Sequence, residues 1–393
     1  MKRILCLVLI IMLLTTGCSF IGQKSSDDDE PIIPVAVDSA GDRNVLSDST
    51  PAAIASNNNT DSEAAGNSTV SGSSISMEAG DVYSNNLPVD NGTGKGVSSI
   101  TGDKDSILVT LYYRDKAGIL IPVTRKVAKQ EGIAKAAVGG LVDEAVTREQ
   151  LDYYGLYPVL PQGTKIKGMT IKNGSAVIDF SKEFLNLTGR DAEQLAVASV
   201  VYTLTGFKNI ADVSIRVEGK TVSTLENGTE LSGMRNRGNT FINSSDAELK
   251  DGYIKCDLYY MTTSNDQYNY IVPVSTQLQN ADENQLPAVM FAELSKKPSG
   301  NRFFTSVPEG TRLLSCSMQE DLAVLDFSSQ LTNYGGNEKE DGLLNQIYYT
   351  VNQLKGIAKA KILVDGKAAT LPEGSEIAFA KSLPNTYNPV MDK

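Results

Sequence analysis

From residue 105 onward, apolar and polar positions alternate in short, well-separated stretches. Ile107, Val109 and Leu111 alternate with polar or smaller neighbours, as on a strand with one buried face. Arg114 to Gly118 reads as a turn and Ile119 to Val127 as the returning arm of a hairpin. Apolar residues at 133, 137, 138 and 141 share one helical face and predict a helix over Ile133–Ala145. Gly139-Gly140 falls inside it, against a propensity cost of about 1 kcal/mol per glycine. A tyrosine-rich connection, Asp152 to Tyr157, leads to the turn Pro161-Gln162-Gly163-Thr164. Strands are predicted over about 165–171 and 176–180, joined by Lys172-Asn173-Gly174-Ser175, whose Asn-Gly pair is a strong hairpin signal. Val197, Val200, Val201 and Leu204 line the inner face of a further helix, with Asp191 placed to cap it. Val213-x-Ile215-x-Val217 then reads as a strand that ends in a turn at Glu218-Gly219-Lys220. This order, strand, strand, helix, strand, strand, helix, strand, predicts an α+β fold with helices packed on one face of a mixed sheet.

The whole pattern occurs twice. Leu160–Ser181 (LPQGTKIKGMTIKNGSAVIDFS) and Val307–Ser328 (VPEGTRLLSCSMQEDLAVLDFS) match at an offset of 147 residues. At the same offset Leu111-Tyr112-Tyr113 matches Leu258-Tyr259-Tyr260, Tyr202-Thr203 matches Tyr349-Thr350, and Ile215-x-Val217-x-Gly219-Lys220 matches Ile362-x-Val364-x-Gly366-Lys367. The inner helix face recurs as Leu344, Ile347, Tyr348 and Val351. Identities of this density at one constant offset mean duplication, and each copy is long enough to hold its own core. Tandem homologous domains are therefore expected over 105–231 and 253–380, with a polar, glycine-dotted linker over 232–252 and a tail over 381–393. In the second copy the opening hairpin is four residues longer, because Pro122 pairs with Pro273 at an offset of 151.

Residues 1–104 follow a different rule. Lys2-Arg3 precede an apolar run from Ile4 to Leu14, followed by Thr15-Thr16-Gly17-Cys18. That is a charged region followed by a core too short to span a bilayer, closed by small residues. It resembles the lipobox of bacterial lipoprotein signal peptides, although Thr15 stands where leucine is usual. The resemblance implies cleavage after Gly17, lipidation of Cys18 and a chain held at the extracytoplasmic face of the cell membrane. Residues 19–103 carry thirteen acidic groups against three basic ones and few large apolar side chains. A disordered acidic tether over 18–104 is expected, reaching about 50 Å as a flexible coil.

Charge and composition narrow the chemistry. The net charge is −11, but residues 104–393 contribute only −3, so the folded part courts neither nucleic acid nor an anionic lipid surface. The chain has no histidine, which excludes Ser–His and Cys–His nucleophile pairs and histidine-ligated zinc. No catalytic residue, cofactor site or metal site is predicted. Asp179 and Asp326 occupy equivalent strand ends and read either as paired acids of a site or, preferably, as acceptors of backbone N–H groups. Cys256 and Cys316 stand where the first copy has Val109 and Met169, which favours packed thiols over a disulfide. Tyr112-Tyr113 and Tyr153-Tyr154 are adjacent pairs, so one of each is expected to face outward if extended, a weak interface signal. Tyr157, Tyr259, Tyr260, Tyr348 and Tyr349 add to this set.

In each copy Pro-x-Gly-Thr, then Ala-Val-Ile/Leu-Asp-Phe-Ser, then a helix ending in Tyr-Thr, then a Val/Ile-rich strand and Gly-Lys, together resemble the GerMN domain. A lipobox, a spacer and two tandem copies resemble the GerM-like sporulation and germination lipoproteins of endospore-forming bacteria. The resemblance implies a fold related to ring-building motifs and a non-enzymatic role in the channel complex between mother cell and forespore. Its partners would be other membrane-associated channel proteins, with the membrane itself engaged through the lipid anchor and no nucleic acid bound. The competing expectation is an extracytoplasmic lipoprotein that recognises peptidoglycan or a small solute between its domains.

Overall fold

The computed structural model describes residues 106–388 except 280–284, 297 and 299. The expected signal peptide, Cys18, the tether over 18–104 and the last five residues of the tail lie outside the described residues.

The first repeat opens with β1 (Ser106–Asp115) and β2 (Leu120–Ala128), an antiparallel hairpin in register from Ser106 opposite Ala128 to Arg114 opposite Leu120. Helices α1 (Ile133–Gly139) and α2 (Ala145–Asp152) follow, and β3 (Leu156–Tyr157) pairs back onto β1. The helix predicted over Ile133–Ala145 thus stops at Gly139. A Cβ on Gly140 would meet Leu111 Cδ2 at 2.9 Å, so the chain passes close to β1 here, and Val142 turns to bridge Leu160.

β4 (Ile166–Lys172), β5 (Ser175–Phe180), β6 (Asp212–Val217) and β7 (Lys220–Thr221) form one sheet in that order. β5 and β6 are parallel and the other pairs antiparallel, which makes the sheet mixed. Asn173 (φ 52°) and Gly174 (φ 83°) supply the left-handed pair that a two-residue hairpin loop needs. α3 (Arg190–Leu204) is the crossover between the parallel strands and buries Val197, Val200, Val201 and Leu204. Asp191 does not cap this helix. Gly189 (φ 87°) takes that position, and Asp191 lies in the first turn, where its charge complements the positive end of the helix dipole.

The second repeat follows the same plan, without counterparts of α2 and β3 among the described residues, with β8 (Tyr253–Ser264), β9 (Tyr268–Gln279), α4 (Leu286–Leu294), β10 (Leu313–Gln319), β11 (Leu322–Phe327), α5 (Asn337–Val351), β12 (Lys359–Val364) and β13 (Lys381–Ser382). Its four-stranded sheet runs β10-β11-β12-β13, again with one parallel pair, β11 and β12. Leu111, Tyr113, Phe180, Val201 and Ile215 belong to the first core, and Leu258, Phe327, Ile347, Val351 and Ile362 to the second. The two are not insulated from each other. Tyr270 and Val272 of β9 pack into the first core.

Candidate functional site

The repeated motif residues prove to be structural fasteners. Asp179 Oδ1 accepts the N–H of Gly219 at 2.8 Å, and Asp326 Oδ1 accepts that of Gly366 at the same distance. Each carboxylate therefore ties its strand to the turn that ends the neighbouring strand. The serine that follows exchanges two hydrogen bonds with the start of the sheet, Ser181 with Lys165 and Ser328 with Arg312. Thr203 Oγ1 accepts the Tyr112 N–H and Thr350 Oγ1 the Tyr259 N–H, each at 3.3 Å. Ser199 and Gln346, one turn earlier on the helices, donate to the carbonyls of the same tyrosines.

Cys256 is buried in the second core and Cys316 packs against its rim, both as free thiols. Burial pushes both thiols above the ordinary cysteine value, which makes them poor nucleophiles. Among the described residues no cluster of cysteine, aspartate or glutamate side chains is arranged to hold a metal ion.

Tyr112 and Tyr113 are both fully buried, contrary to the expected outward partner. Tyr113 enters the first core, while Tyr112 packs with Leu120, Ala198, Tyr202 and Ile242. Ile242 comes from the segment expected to be a linker. Tyr259 and Tyr349 are covered in the same way by Tyr387, from the expected tail, with ring centroids 6.1 and 4.8 Å away. Tyr153 is the outward member of its pair at 57% exposure. It meets Tyr154 and Tyr268 edge-on or tilted, and its hydrogen bond with Tyr268, more than burial, holds the Tyr268 phenol up at about 12. Tyr157 is stacked under Arg114, and Tyr260 and Tyr348 are buried in or against the second core.

These covering segments build the junction between the repeats. Pro122 on β2 and Pro273 on β9 lack N–H groups, so neither facing edge offers a complete ladder. Two asparagines span the gap. Asn243 accepts the Leu120 N–H at 2.7 Å and donates to the carbonyls of Leu120 and Pro273, both at 2.8 Å. Asn388 accepts the Ile271 N–H at 3.0 Å and donates to the carbonyls of Ile271 and Pro122 at 2.7 and 2.8 Å. The preceding residue reaches the other repeat in each case: Ile242 pairs with Ser275, and Tyr387 with Thr124, through two bonds of 2.7–2.9 Å apiece. Leu120, Pro122 and Thr124 correspond to Ile271, Pro273 and Ser275 at the 151-residue offset, so the junction has a pseudo-two-fold axis. The clasps also share sequence, Asn239-Thr240-Phe241-Ile242-Asn243 against Asn385-Thr386-Tyr387-Asn388. Tyr349 donates to the Thr386 carbonyl, and the Tyr202 hydroxyl lies 3.3 Å from that of Thr240.

One side of the junction carries charge. Lys255 Nζ lies 2.7 Å from Asp257 Oδ1 with both side chains almost fully buried. Asp257 also accepts from Ser275 at 2.8 Å and, across the junction, from the Tyr202 hydroxyl at 2.7 Å. Arg237 lies over the Tyr202 ring at 4.9 Å and donates to the Tyr202 carbonyl at 3.1 Å, where its charge suits the negative end of α3. The longer β8–β9 hairpin reaches the first repeat at its tip: Ser264 donates to the Gly155 carbonyl at 2.7 Å, and Tyr270 to that of Tyr154 at 2.9 Å. An open groove of about 1080 Å³ runs beside the first clasp, lined by Arg190, Arg235, Lys250, Glu248, Glu293 and Arg302 among others.

A further matched pair escaped the sequence reading. Glu193 and Glu340, in the first turns of α3 and α5, are 98% buried. Glu193 accepts the amides of Asn227 and Thr229, and Glu340 those of Glu373 and Ser375. Burial alone would raise both carboxyls, but the donors outweigh it and hold both below the usual range. Their 147-residue spacing was the available signal.

The family described as Germane, sporulation and spore germination, matches residues 110–223 and 257–370, the two repeats just described. The chain belongs to this family. Among Germane-family relatives, the spore germination protein GerM of Bacillus subtilis (strain 168) is 30% identical over 294 residues, which is 72% of this chain and 78% of the relative. The solved tandem GerMN domains of the sporulation protein GerM from Bacillus subtilis superpose with a TM-score of 0.63 at 29% identity, covering 72% of this chain and 99% of that one. Tandem GerMN repeats of α+β architecture and a place among sporulation and germination proteins follow. Among the described residues no helix is long and apolar enough to cross a membrane.

Proposed function

We propose that this Germane-family chain is a membrane-tethered lipoprotein, anchored through Cys18 on the extracytoplasmic face, that serves spore formation and germination by protein–protein assembly and performs no catalysis. Its partners on this reading are other membrane-associated proteins of the channel complex between mother cell and forespore, and its repeats act as ring-building-motif-like docking modules. The observation that carries the reading is the junction: two matched asparagine clasps, the Asp257–Tyr202 bond and the tip of the β8–β9 hairpin hold the repeats in one fixed relation, which suits a part that works by shape. A lipobox-like leader and a long acidic tether fit the same role.

The test is affinity capture of the tethered chain from sporulating cells, with a Cys18→Ala chain as control. Co-purification of channel proteins that is lost in the control supports the reading. Recovery of soluble saccharide or solute alone, or turnover of any substrate by the purified chain, refutes it. The groove of about 1080 Å³ favours one rival, recognition of a peptidoglycan fragment or small solute, because its volume reaches that of ligand sites. Calorimetric titration with muropeptides decides between them, since assembly alone predicts no saturable heat.

A further inference from the structure

β10 stands at the end of its sheet with no strand beside it among the described residues, as β4 does in the first repeat. The two edges are dressed differently. β4 and the residue before it carry Lys165, Lys167 and Lys172, the charges that keep exposed edges from pairing. At the last two of these positions the second repeat has Leu314 and Gln319, and β10 itself, Leu313–Gln319, holds no charged residue. Leu314 and Met318 are 47% and 44% exposed.

The sequence of β10 is also nearly symmetric about its centre: Leu314-Ser315-Cys316-Ser317-Met318. An antiparallel strand pair with a two-fold axis at Cys316 sets Ser315 against Ser317 and Cys316 against its copy, and brings Leu314, at the bulge where β10 departs from regular pairing with β11, toward Met318. Apolar meets apolar, hydroxyl meets hydroxyl, and no charge is buried. The same operation on β4, centred on Met169, sets Lys167 against Ile171 and gathers the lysines of both copies. We infer that β10 is a self-pairing edge through which two copies of this chain join by antiparallel β-addition, an isologous contact of the second repeat alone. This pairing is a property of the strand and does not rest on the docking role proposed above.

Directly opposed residues on antiparallel strands have Cα atoms about 4.5–5.5 Å apart, within disulfide reach. Membranes bearing the full chain are treated with diamide, which takes two electrons and two protons from a pair of thiols, and the products are run on non-reducing gels. A band at twice the chain mass is expected, absent from Cys316→Ser. It should fall at least tenfold in Leu314→Lys/Gln319→Lys, which transplants the lysines of the sister edge. Sedimentation of the purified full chain in detergent should show the same loss of dimer in that variant, whose melting temperature should stay within a few degrees of the parent. Absence of the band, a band that survives Cys316→Ser or the lysine variant, or a band joining Cys316 to a different protein would overturn the inference.

Discussion

At the junction, β1 of the first repeat offers Leu108 and Thr110 where β8 of the second offers Lys255 and Asp257. Thr110 meets Thr124, at 3.0 Å, through a neutral hydrogen bond. Asp257 binds Lys255, Ser275 and Tyr202 together. Duplication explains the shared clasps, and the departure shows what fusion allows. Once two copies sit in one chain, each side of a two-fold interface can specialise, and a buried ion pair on one side alone makes the first-against-second pairing distinct from either copy paired with itself.

Breaking the charged side should cost most. Asp257→Ala strands Lys255 in the interior and is expected to lower stability by about 3–5 kcal/mol, while Thr110→Val loses about 1 kcal/mol, both read from denaturant unfolding of the full chain. The clasps should come next and be nearly equal. Asn243→Ala and Asn388→Ala each strip three hydrogen bonds from enclosed backbone groups and should cost about 2–3 kcal/mol, with sharply faster amide exchange at Leu120 and Ile271 respectively. A large effect for one and none for the other would mean that only one clasp is closed in solution.

The glutamate pair should give a smaller effect than the clasps, and the most uniform one. Glu193→Gln and Glu340→Gln should each cost about 1–2 kcal/mol near neutral pH. Both folded carboxyls lie below the ordinary value of 4.5, so their stabilisation is fully present above that pH and drains away as pH falls through the folded value. Stability profiles of parent and variants should therefore begin to approach one another as pH falls past 4.5 and converge only below the folded carboxyl values.

Much of the fold was legible because strand alternation and the Asn173-Gly174 loop are local signals, and the 147-residue offset confirmed them against a second copy. What stayed hidden depends on distant partners. Position 140 has no room for a Cβ because Leu111 lies against it, and Asp191 loses the cap because Gly189 takes that place with a φ of 87°. Segments 232–252 and 381–388 read as connection and tail because a clasp made of side-chain amides has no apolar period. Tyr112 seemed free to face water only while Ile242 went unnoticed. For the candidate site, Asp179 and Asp326 do accept backbone N–H groups as expected, whereas nothing local in the sequence marks Glu193 and Glu340.

The most direct test of a fixed two-repeat body is the distance between spin labels placed at exposed Val146 and Phe379, measured in a chain whose own four cysteines, Cys6, Cys18, Cys256 and Cys316, are replaced. One narrow distribution is predicted, broadening in the Asn243→Ala/Asn388→Ala double variant. A broad distribution in the parent, unchanged by loss of both asparagines, would contradict the account.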